Sequence, residues 1–196
     1  MKGDLRKNEI LDISKIFFSQ KGYYETYVEE IIVAAHIGKG TFYRYFKNKD
    51  DLFISLLIRF LEDWEKAVFI DPAHISSDSL RELFLTVIRR SFEFFQYNEE
   101  LCNIYLRVGP GLGKNFEPYV ERFENQMLRY ITQYLNEGIK RGQVRKDLNL
   151  ELASNMIAGA FLRVDYFYFV LKKDRSVNID RLGEDFYTII MSGIKM

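Results

Sequence analysis

The chain has 196 residues, and its 28 lysines and arginines balance 28 aspartates and glutamates, so the formal net charge at pH 7 is zero. Hydrophobic residues make up 47% of the sequence, which indicates a packed core and excludes an intrinsically disordered chain. The single cysteine, Cys102, excludes an intramolecular disulfide, and no apolar run reaches the roughly 18 residues of a membrane-spanning helix. Because the N-terminus is polar and lacks the apolar core of a signal peptide, we expect a cytoplasmic protein.

Helical periodicity runs through most of the sequence, whereas the alternation of polar and apolar residues that half-buried strands need is hard to find. The first helix is predicted over residues 4–20, and Gly22 suits the left-handed position that ends it. Thr26 followed three residues later by Glu29 has the pattern of a capping box, so a second helix is expected to begin after Thr26. A short turn then leads to a third helix over residues 38–46.

The remainder of the chain is predicted to form longer helices. Asn48 followed by Asp51 is a second capping signal, and it opens a fourth helix that reaches about Phe69. The segment 71–78 is predicted to be a loop, and the glycine-rich stretch 109–113 is interpreted as a break between helices because it lacks the spacing of a phosphate-binding loop. The five later helices are predicted over residues 79–97, 99–108, 117–141, 150–172 and 179–192.

The segment 36–49 carries four basic residues and no acidic one, in a chain whose net charge is zero. Such a cluster favours contact with a polyanion. The basic helix follows an apolar helix after a short turn, which is the arrangement of a helix-turn-helix whose second helix enters the major groove of DNA. Phe42 and Phe46 lie four residues apart on one face and are expected to pack against the neighbouring helices. The opposite face is then free for DNA.

The same region resembles the DNA-binding domain of the tetracycline-repressor (TetR) family of regulators. The residues that carry the resemblance are Gly22-Tyr23, Thr26, Val28, Ile31, the run 39–49 and Leu52. The resemblance implies an all-α homodimer in which helices 1–3 bind DNA, helices 8 and 9 form the dimer interface, and a cavity among helices 4–8 takes an effector. Residues 1–50 would form the three-helix DNA-binding domain, and residues 51–196 the effector-binding and dimerisation domain, with about nine helices in all.

Three positions depart from the family pattern. His36 replaces a common glycine in the turn, Gly38 replaces the serine or alanine that usually opens the recognition helix, and Tyr27 replaces a common threonine. Histidine tolerates a left-handed conformation better than branched residues do, and glycine is an acceptable N-cap, so the fold is expected to be unchanged. Gly40 is expected to permit a close approach of the third helix to the second helix or to the DNA backbone. The residues expected to contact DNA are Thr26, Tyr27, Gly38, Lys39, Thr41, Tyr43, Arg44, Lys47 and Lys49.

The eighth and ninth helices carry apolar stripes that are the predicted dimer interface. The residues of these stripes are Leu152, Met156 and Ala160 on the eighth helix, and Leu182, Phe186 and Ile190 on the ninth. The alternative is that the stripes are internal, since both helices must also pack against their own subunit.

The effector pocket is predicted from the aromatic residues of the C-terminal part. The candidates are Phe84, Phe92, Tyr105, Phe123, Phe161 and Tyr166. Such side chains would suit an apolar or aromatic ligand, and the alternative is ordinary core packing. Arg163 and Asp165 lie within an apolar helix and would need partners if buried, so they either orient a ligand or face solvent.

The sequence therefore predicts a transcriptional repressor that binds a palindromic operator in double-stranded DNA as a homodimer and is released by a small apolar or aromatic ligand. The alternative is a helical interaction protein or acyl-chain-binding protein whose DNA binding is vestigial. An enzyme is not expected, because the chain has two histidines, one cysteine and no HExxH, GxSxG or metal-ligand motif. No cofactor, metal ion or membrane partner is predicted.

Overall fold

The computed structural model describes residues 2–71 and 80–194, and within these ranges the chain is helical with no β-strand. The all-α prediction is confirmed. The helices are α1 (Lys2–Lys21), α2 (Val28–Ala34), α3 (Lys39–Tyr45), α4 (Lys49–Val68), α5 (Leu80–Tyr97), α6 (Glu99–Asn103), α7 (Glu117–Lys140), α8 (Leu150–Asp165) and α9 (Ile179–Ile194). Two π-helical segments follow α6 and α8 directly, namely π1 (Ile104–Val108) and π2 (Tyr166–Leu171). The sixth and eighth predicted helices therefore end in π-helical turns, and the predicted loop 71–78 lies, after Asp71, outside the described residues.

The ends of the first helices are set by local hydrogen bonds. Gly22 has a φ of 79°, as predicted for the residue that ends α1, and His36 adopts a φ of 50° in the turn before α3. The predicted capping box at Thr26 is wrong by one residue. Tyr27 is the N-cap of α2, and its backbone N–H donates to the Glu30 carboxylate at 3.2 Å.

The start of α4 agrees with the predicted capping signal. The backbone N–H of Asp51 donates to Oδ1 of Asn48 at 2.8 Å, and the backbone N–H of Lys47 donates to Oδ2 of Asp51 at 2.9 Å. The Asn48 side chain thus satisfies an N–H group that the first turn of a helix leaves free, and the Asp51 side chain satisfies an N–H group just before the helix.

The chain divides into two compact units, each with its own buried core. The first unit contains Met1–Glu62 and Glu100–Glu121, and the second contains Asp63–Glu99 and Arg122–Met196. Aromatic side chains dominate both cores: those fully buried include Phe18, Phe42 and Phe53 in the first unit, and Phe92, Phe95 and Phe123 in the second. This division differs from the predicted boundary after residue 50, because most of α4 and the segment 100–121 pack with the helix-turn-helix. A functional division at residue 50 stays a prediction.

No helix in the described part of the chain is long and apolar enough to cross a membrane.

Candidate nucleic-acid interface and effector cavity

Two phenylalanines anchor α3 in the first unit. Phe42 is fully buried, Phe46 is 1% exposed, and their ring centroids are 5.6 Å apart. Ile31 and Ile32 of α2 are buried in the same unit. The prediction that Phe42 and Phe46 are core residues is confirmed, and their burial leaves the opposite face of α3 to solvent.

The exposed face of α3 is basic and aromatic. Its exposed side chains belong to Lys39, Tyr43 and Arg44, with Lys47 exposed just beyond the helix. The ammonium of Lys39 is 3.6 Å from the carboxylate of Glu29, and both side chains are more than 60% exposed. An ion pair as exposed as this one contributes little stability, so a phosphate group can replace Glu29 at small cost.

The turn between α1 and α2 is held by Lys49. Its Nζ donates to the carbonyl oxygens of Tyr23 at 3.0 Å and Thr26 at 3.1 Å, with a longer contact of 3.4 Å to that of Tyr24. These bonds occupy the three hydrogens of the ammonium group. Thr26 is fully buried, and its hydroxyl donates to the carbonyl of Gly22 at 2.7 Å. Lys49 and Thr26 therefore stabilise the turn that positions α2.

Tyr23 connects this turn to the start of α4. Its hydroxyl donates to the carboxylate of Asp50, and its ring centroid lies 5.3 Å from that of Phe53 and 5.1 Å from that of Phe116. Lys49 lies over the same ring, with Nζ 4.4 Å from the centroid. Burial and the hydrogen bond to Asp50 raise the pKa of the Tyr23 hydroxyl far above its ordinary value, so this group stays protonated and remains a donor.

The second unit contains an apolar cavity of about 100 Å³. It lies among α4, α5, α7, α8 and α9. The lining residues are Trp64, Val68, Phe84, Val87, Ile88, Ser91, Met127, Tyr130, Ile131, Tyr134, Leu135, Ile157, Phe161, Phe186, Tyr187, Ile190, Met191 and Ile194. A cavity with such a wall suits an apolar ligand.

The polar atoms of Trp64, Ser91 and Tyr130 in the cavity wall are bonded to other protein groups. The hydroxyl of Tyr130 donates to Glu65, which also accepts from the amide of Gln126 at 3.1 Å. The indole N–H of Trp64 donates to the hydroxyl of Ser91 at 3.1 Å. Burial and the bond to Glu65 raise the pKa of Tyr130 to about 12. Tyr130 therefore stays neutral at physiological pH, and its aromatic ring contributes to the wall.

The same unit presents an apolar groove on its surface between α8 and α9. The groove has a volume of about 390 Å³, and its apolar lining residues include Leu152, Met156, Ile189 and Ile194. Leu152 is 57% exposed, Met156 is 65% exposed and Ile189 is 73% exposed. Three large apolar side chains exposed this close together are unusual on a monomer and indicate a contact surface.

Within the described residues, no group of three or more histidine, cysteine, aspartate or glutamate side chains could hold a metal ion.

Residues 10–56 match the family of bacterial regulatory proteins called the tetR family. The chain is 25% identical over 191 residues to the HTH-type transcriptional repressor KstR2 of Mycobacterium tuberculosis, and the match covers 96% of this chain and 92% of KstR2. The crystal structure of a protein assigned to the TetR family of transcriptional regulators, from Syntrophomonas wolfei, has a TM-score of 0.73 and 28% identity. That similarity covers 97% of this chain and 93% of the other. Residues 10–56 therefore carry a tetR-family domain, and the proteins similar to nearly the whole chain are TetR-family regulators.

A second solved structure shares the fold. FadR of Bacillus subtilis in complex with stearoyl-CoA has a TM-score of 0.77 at 23% identity, and the similarity covers 95% of this chain and 98% of FadR.

The structure places seven of the nine predicted DNA contacts where DNA could reach them. The seven are Tyr27, Gly38, Lys39, Tyr43, Arg44 and Lys47, which are exposed, and Thr41, which is half-buried. Thr26 and Lys49 are corrections, since Thr26 is buried and the ammonium of Lys49 is occupied within the turn.

A β-carbon added to Gly40 would meet no atom within 4 Å, so packing against α2 does not require this glycine. Its predicted role against the DNA backbone stays a prediction.

The predicted effector residues agree with the cavity at two positions, Phe84 and Phe161. The other four are corrections. Phe92 and Phe123 are fully buried, with ring centroids 4.8 Å from those of Phe161 and Trp64 respectively, so they lie behind the wall. Tyr105 belongs to the first unit, where its hydroxyl donates to the carbonyl of Val120, and the half-buried Tyr166 lies in π2 beside Arg163.

Most of the residues of the cavity wall are not among the predicted effector residues. Trp64 and Val68 come from the C-terminal half of α4, and Met127, Tyr130 and Tyr134 come from one face of α7. Their spacing of three and four residues was visible as a helical stripe, but a stripe does not distinguish a cavity wall from a filled core.

The predicted dimer stripe is exposed on α8 and mostly turned inward on α9. Leu152, Met156 and Ala160 are exposed. Phe186 is a correction, because it is 8% exposed and lines the cavity, and Leu182 and Ile190 are half-buried. The exposed apolar side chain of α9 that flanks the α8 stripe in the groove is Ile189.

Proposed function

We propose that this TetR-family regulator is a repressor that binds a palindromic operator as a homodimer and is released by an apolar small molecule. The observation that carries the proposal is the division of α3 into two faces. Phe42 and Phe46 fix the helix in its unit, while the basic and aromatic face is open to a partner.

The exposed face of α3 has the chemistry of a major-groove reader. Lys39 and Thr41 lie in the first turn, where insertion into the groove is deepest, and Tyr43 follows Lys39 by about one turn. Arg44 can donate two hydrogen bonds to a guanine or a phosphate, and Lys47 supplies charge for the backbone. Because Gly38 and Gly40 add no side chain to this face, the backbone of α3 can come close to the bases.

The apolar groove between α8 and α9 supports dimerisation. Leu152, Met156 and Ile189 would be removed from water if the same face of a second copy covered them. A two-fold symmetric pair would present two α3 helices to a palindrome, with half-sites about one helical turn apart.

The cavity of the second unit supports an apolar effector. FadR of Bacillus subtilis binds stearoyl-CoA, and we propose an acyl chain or a molecule of similar polarity as the ligand class for this chain. The volume of about 100 Å³ is close to the roughly 150 Å³ in which an engineered protein cavity holds benzene. A longer ligand would therefore have to displace side chains of the wall. Such a ligand would release the operator if it bound better to the conformation that does not fit DNA.

Binding to a duplex selected from a random library tests the DNA-binding part of the proposal. We expect Lys39→Glu to weaken binding by at least about a hundredfold, because each operator would meet two altered helices and lose contacts with phosphate or base. The matched control is Lys66→Glu, which reverses the charge of a lysine that is 74% exposed in the second unit. Equal affinity of Lys39→Glu and wild type would contradict the repressor.

That last result would favour a second candidate function, an acyl-chain-binding protein with vestigial DNA binding. A specific observation supports this alternative: Lys49, one of four cations in the basic segment, is occupied by carbonyl oxygens of its own chain. The alternative requires ligand binding in the cavity and no selection of any duplex sequence.

A further inference from the structure

Asp165 is a buried carboxyl group that no protein group satisfies. It is the last residue of α8, its exposed fraction is zero, and neither carboxyl oxygen has a hydrogen-bond partner. Arg163, two residues earlier, is exposed and lies over the rings of Tyr166 and Phe167. The two charged residues of this apolar helix therefore differ in environment, and Asp165 is the one that needs an explanation.

The neighbours of Asp165 along its helix face are aromatic. Phe161 precedes it by four residues and Phe169 follows it by four, so both lie on the same side of the helix. The ring of Phe92 on α5 packs against both, with centroid distances of 4.8 Å to Phe161 and 6.3 Å to Phe169. These rings offer no strong hydrogen-bond acceptor to a carboxyl group.

Such burial has a defined chemical consequence. It raises the pKa of Asp165 well above its ordinary value, so the neutral acid is favoured, with one O–H donor and no acceptor in reach. A buried polar group without a partner destabilises the folded chain. The cost would be removed by any molecule that brought an acceptor oxygen to this position.

Phe161, a lining residue of the apolar cavity, precedes Asp165 by about one helical turn. Phe161 and Phe186 line the cavity, and their ring centroids are 5.7 Å apart. Four residues of α-helix correspond to a rise of about 6 Å, which is the axial separation of Phe161 and Asp165. A ligand that extends from the cavity to the carboxyl group would have to pass Phe161.

Immediately after Asp165 the backbone changes from α-helical to π-helical hydrogen bonding. Isolated π-helical turns of this kind occur frequently at functional sites. The irregular turn therefore coincides with the unsatisfied carboxyl group and with the aromatic layer that closes the cavity.

We propose that Asp165 is the polar contact of the effector: the cavity extends along α8 past Phe161 when ligand binds, and the carboxylic acid donates a hydrogen bond to an acceptor oxygen on the ligand. The ligand class is then an apolar chain or ring that carries a ketone or similar carbonyl oxygen about 6 Å from the part that fills the present cavity. This inference rests on the proposed function, because it requires the cavity to be the effector site. A cationic head group is disfavoured, since it would require the ionised form of Asp165 within the aromatic layer.

Three probes of related shape test the proposal: benzene, butylbenzene and benzylacetone. Benzene reports on the present cavity, and the other two place four further carbon atoms towards Asp165, with a ketone in benzylacetone alone. Their dissociation constants are measured by calorimetry for the full chain and for Asp165→Asn and Asp165→Ala. The amide of Asp165→Asn keeps a donor, whereas Asp165→Ala has none.

We expect the preference for benzylacetone over butylbenzene to be about tenfold greater in the wild type than in Asp165→Ala. Asp165→Asn should retain the preference to within about threefold, which a loss of packing alone would not produce. The same preference in all three proteins would overturn the role of Asp165 and leave the apolar effector cavity standing. Failure of all three probes to bind would overturn the cavity as effector site, and this inference with it.

Discussion

The two units of this chain differ in how they place polar groups at their candidate sites. In the first unit, the ammonium of Lys49, the hydroxyl of Thr26 and the hydroxyl of Tyr23 are bonded within the turn region, and exposed cations lie on the outer face of α3. In the second unit, Asp165 is buried without a partner near an apolar cavity. A helix-turn-helix that must hold its recognition helix in place requires satisfied internal hydrogen bonds. A ligand-binding site can instead leave a hydrogen-bonding group free for its ligand. The difference indicates which unit is organised for DNA and which for a small molecule.

The largest expected effect compares the two cores. Phe42→Ala should lower the free energy of unfolding by about 3–5 kcal/mol, because the ring is fully buried in a filled core. Phe84→Ala should cost clearly less, since Phe84 is half-buried and already borders the cavity. Urea unfolding of both variants, followed by circular dichroism, measures the difference. Equal losses would mean that the second core is packed as tightly as the first.

The sequence predicted the first unit better than the second for a physical reason. A helix that must expose lysines while burying Phe42 and Phe46 allows few residue types at each position, so its pattern is visible in one sequence. A cavity wall needs only large apolar side chains, and so does the filled core behind it. Phe92 and Phe161 therefore look alike in sequence, although the structure places one behind the wall and the other in it.

The errors within the first unit have a different origin. Thr26 and Lys49 carry the right groups for phosphate contact, but a local hydrogen bond to Gly22 occupies the Thr26 hydroxyl and a long-range hydrogen bond to Tyr23 occupies the Lys49 ammonium. Lys49 is separated from Tyr23 by 26 residues, and local pattern analysis gives no information about a bond over that distance.

The second prediction separates the two kinds of lysine near α3. Lys49→Met should lower the free energy of unfolding by about 1–3 kcal/mol, because it leaves buried or half-buried carbonyl groups without their donor. Lys47→Met should leave stability within about 0.5 kcal/mol of wild type, because this side chain is exposed, and should weaken operator binding instead. Thermal unfolding and fluorescence anisotropy with labelled operator measure the two effects. Destabilisation by Lys47→Met and none by Lys49→Met would reverse these assignments.

The third prediction concerns the pH dependence of stability. The pKa of Asp165 is higher in the folded chain than in the unfolded chain. At any pH between these two pKa values, the folded chain therefore holds a proton that the unfolded chain has lost. The stability that the neutral acid provides is present below the ordinary pKa of 3.8 and is lost as pH rises towards the folded-state pKa. Between these two pKa values, the free energy of unfolding of wild type should fall by about 1.4 kcal/mol per pH unit relative to that of Asp165→Asn.

Urea unfolding at several pH values above 4 gives this slope, because all other carboxyl groups are common to the two proteins. Asp147→Asn is the control, since the side chain of Asp147 is 83% exposed. The control should show no comparable slope against wild type. If the difference in unfolding free energy between wild type and Asp165→Asn does not change with pH, Asp165 is solvated in solution. The contrast between the two units would then lose its main support.

The smallest expected effect tests the outer face of α3 at Gly40. A β-carbon there meets no atom of the chain, and glycine within a helix is less favourable than alanine by roughly 0.5–1 kcal/mol, so Gly40→Ala should stabilise the protein by up to that amount. The same methyl group would stand between α3 and DNA if the helix backbone approaches the bases closely. We therefore expect higher thermal stability together with weaker operator binding, a combination that a folding defect cannot produce.

Gly159→Ala, on α8, is the matched control, since a β-carbon there also meets no atom and should raise stability without weakening the binding of each α3 to DNA. Unchanged operator affinity in Gly40→Ala would show that side chains alone make the contacts, and would place Lys39, Tyr43 and Arg44 at the bases with the backbone of α3 held away from them.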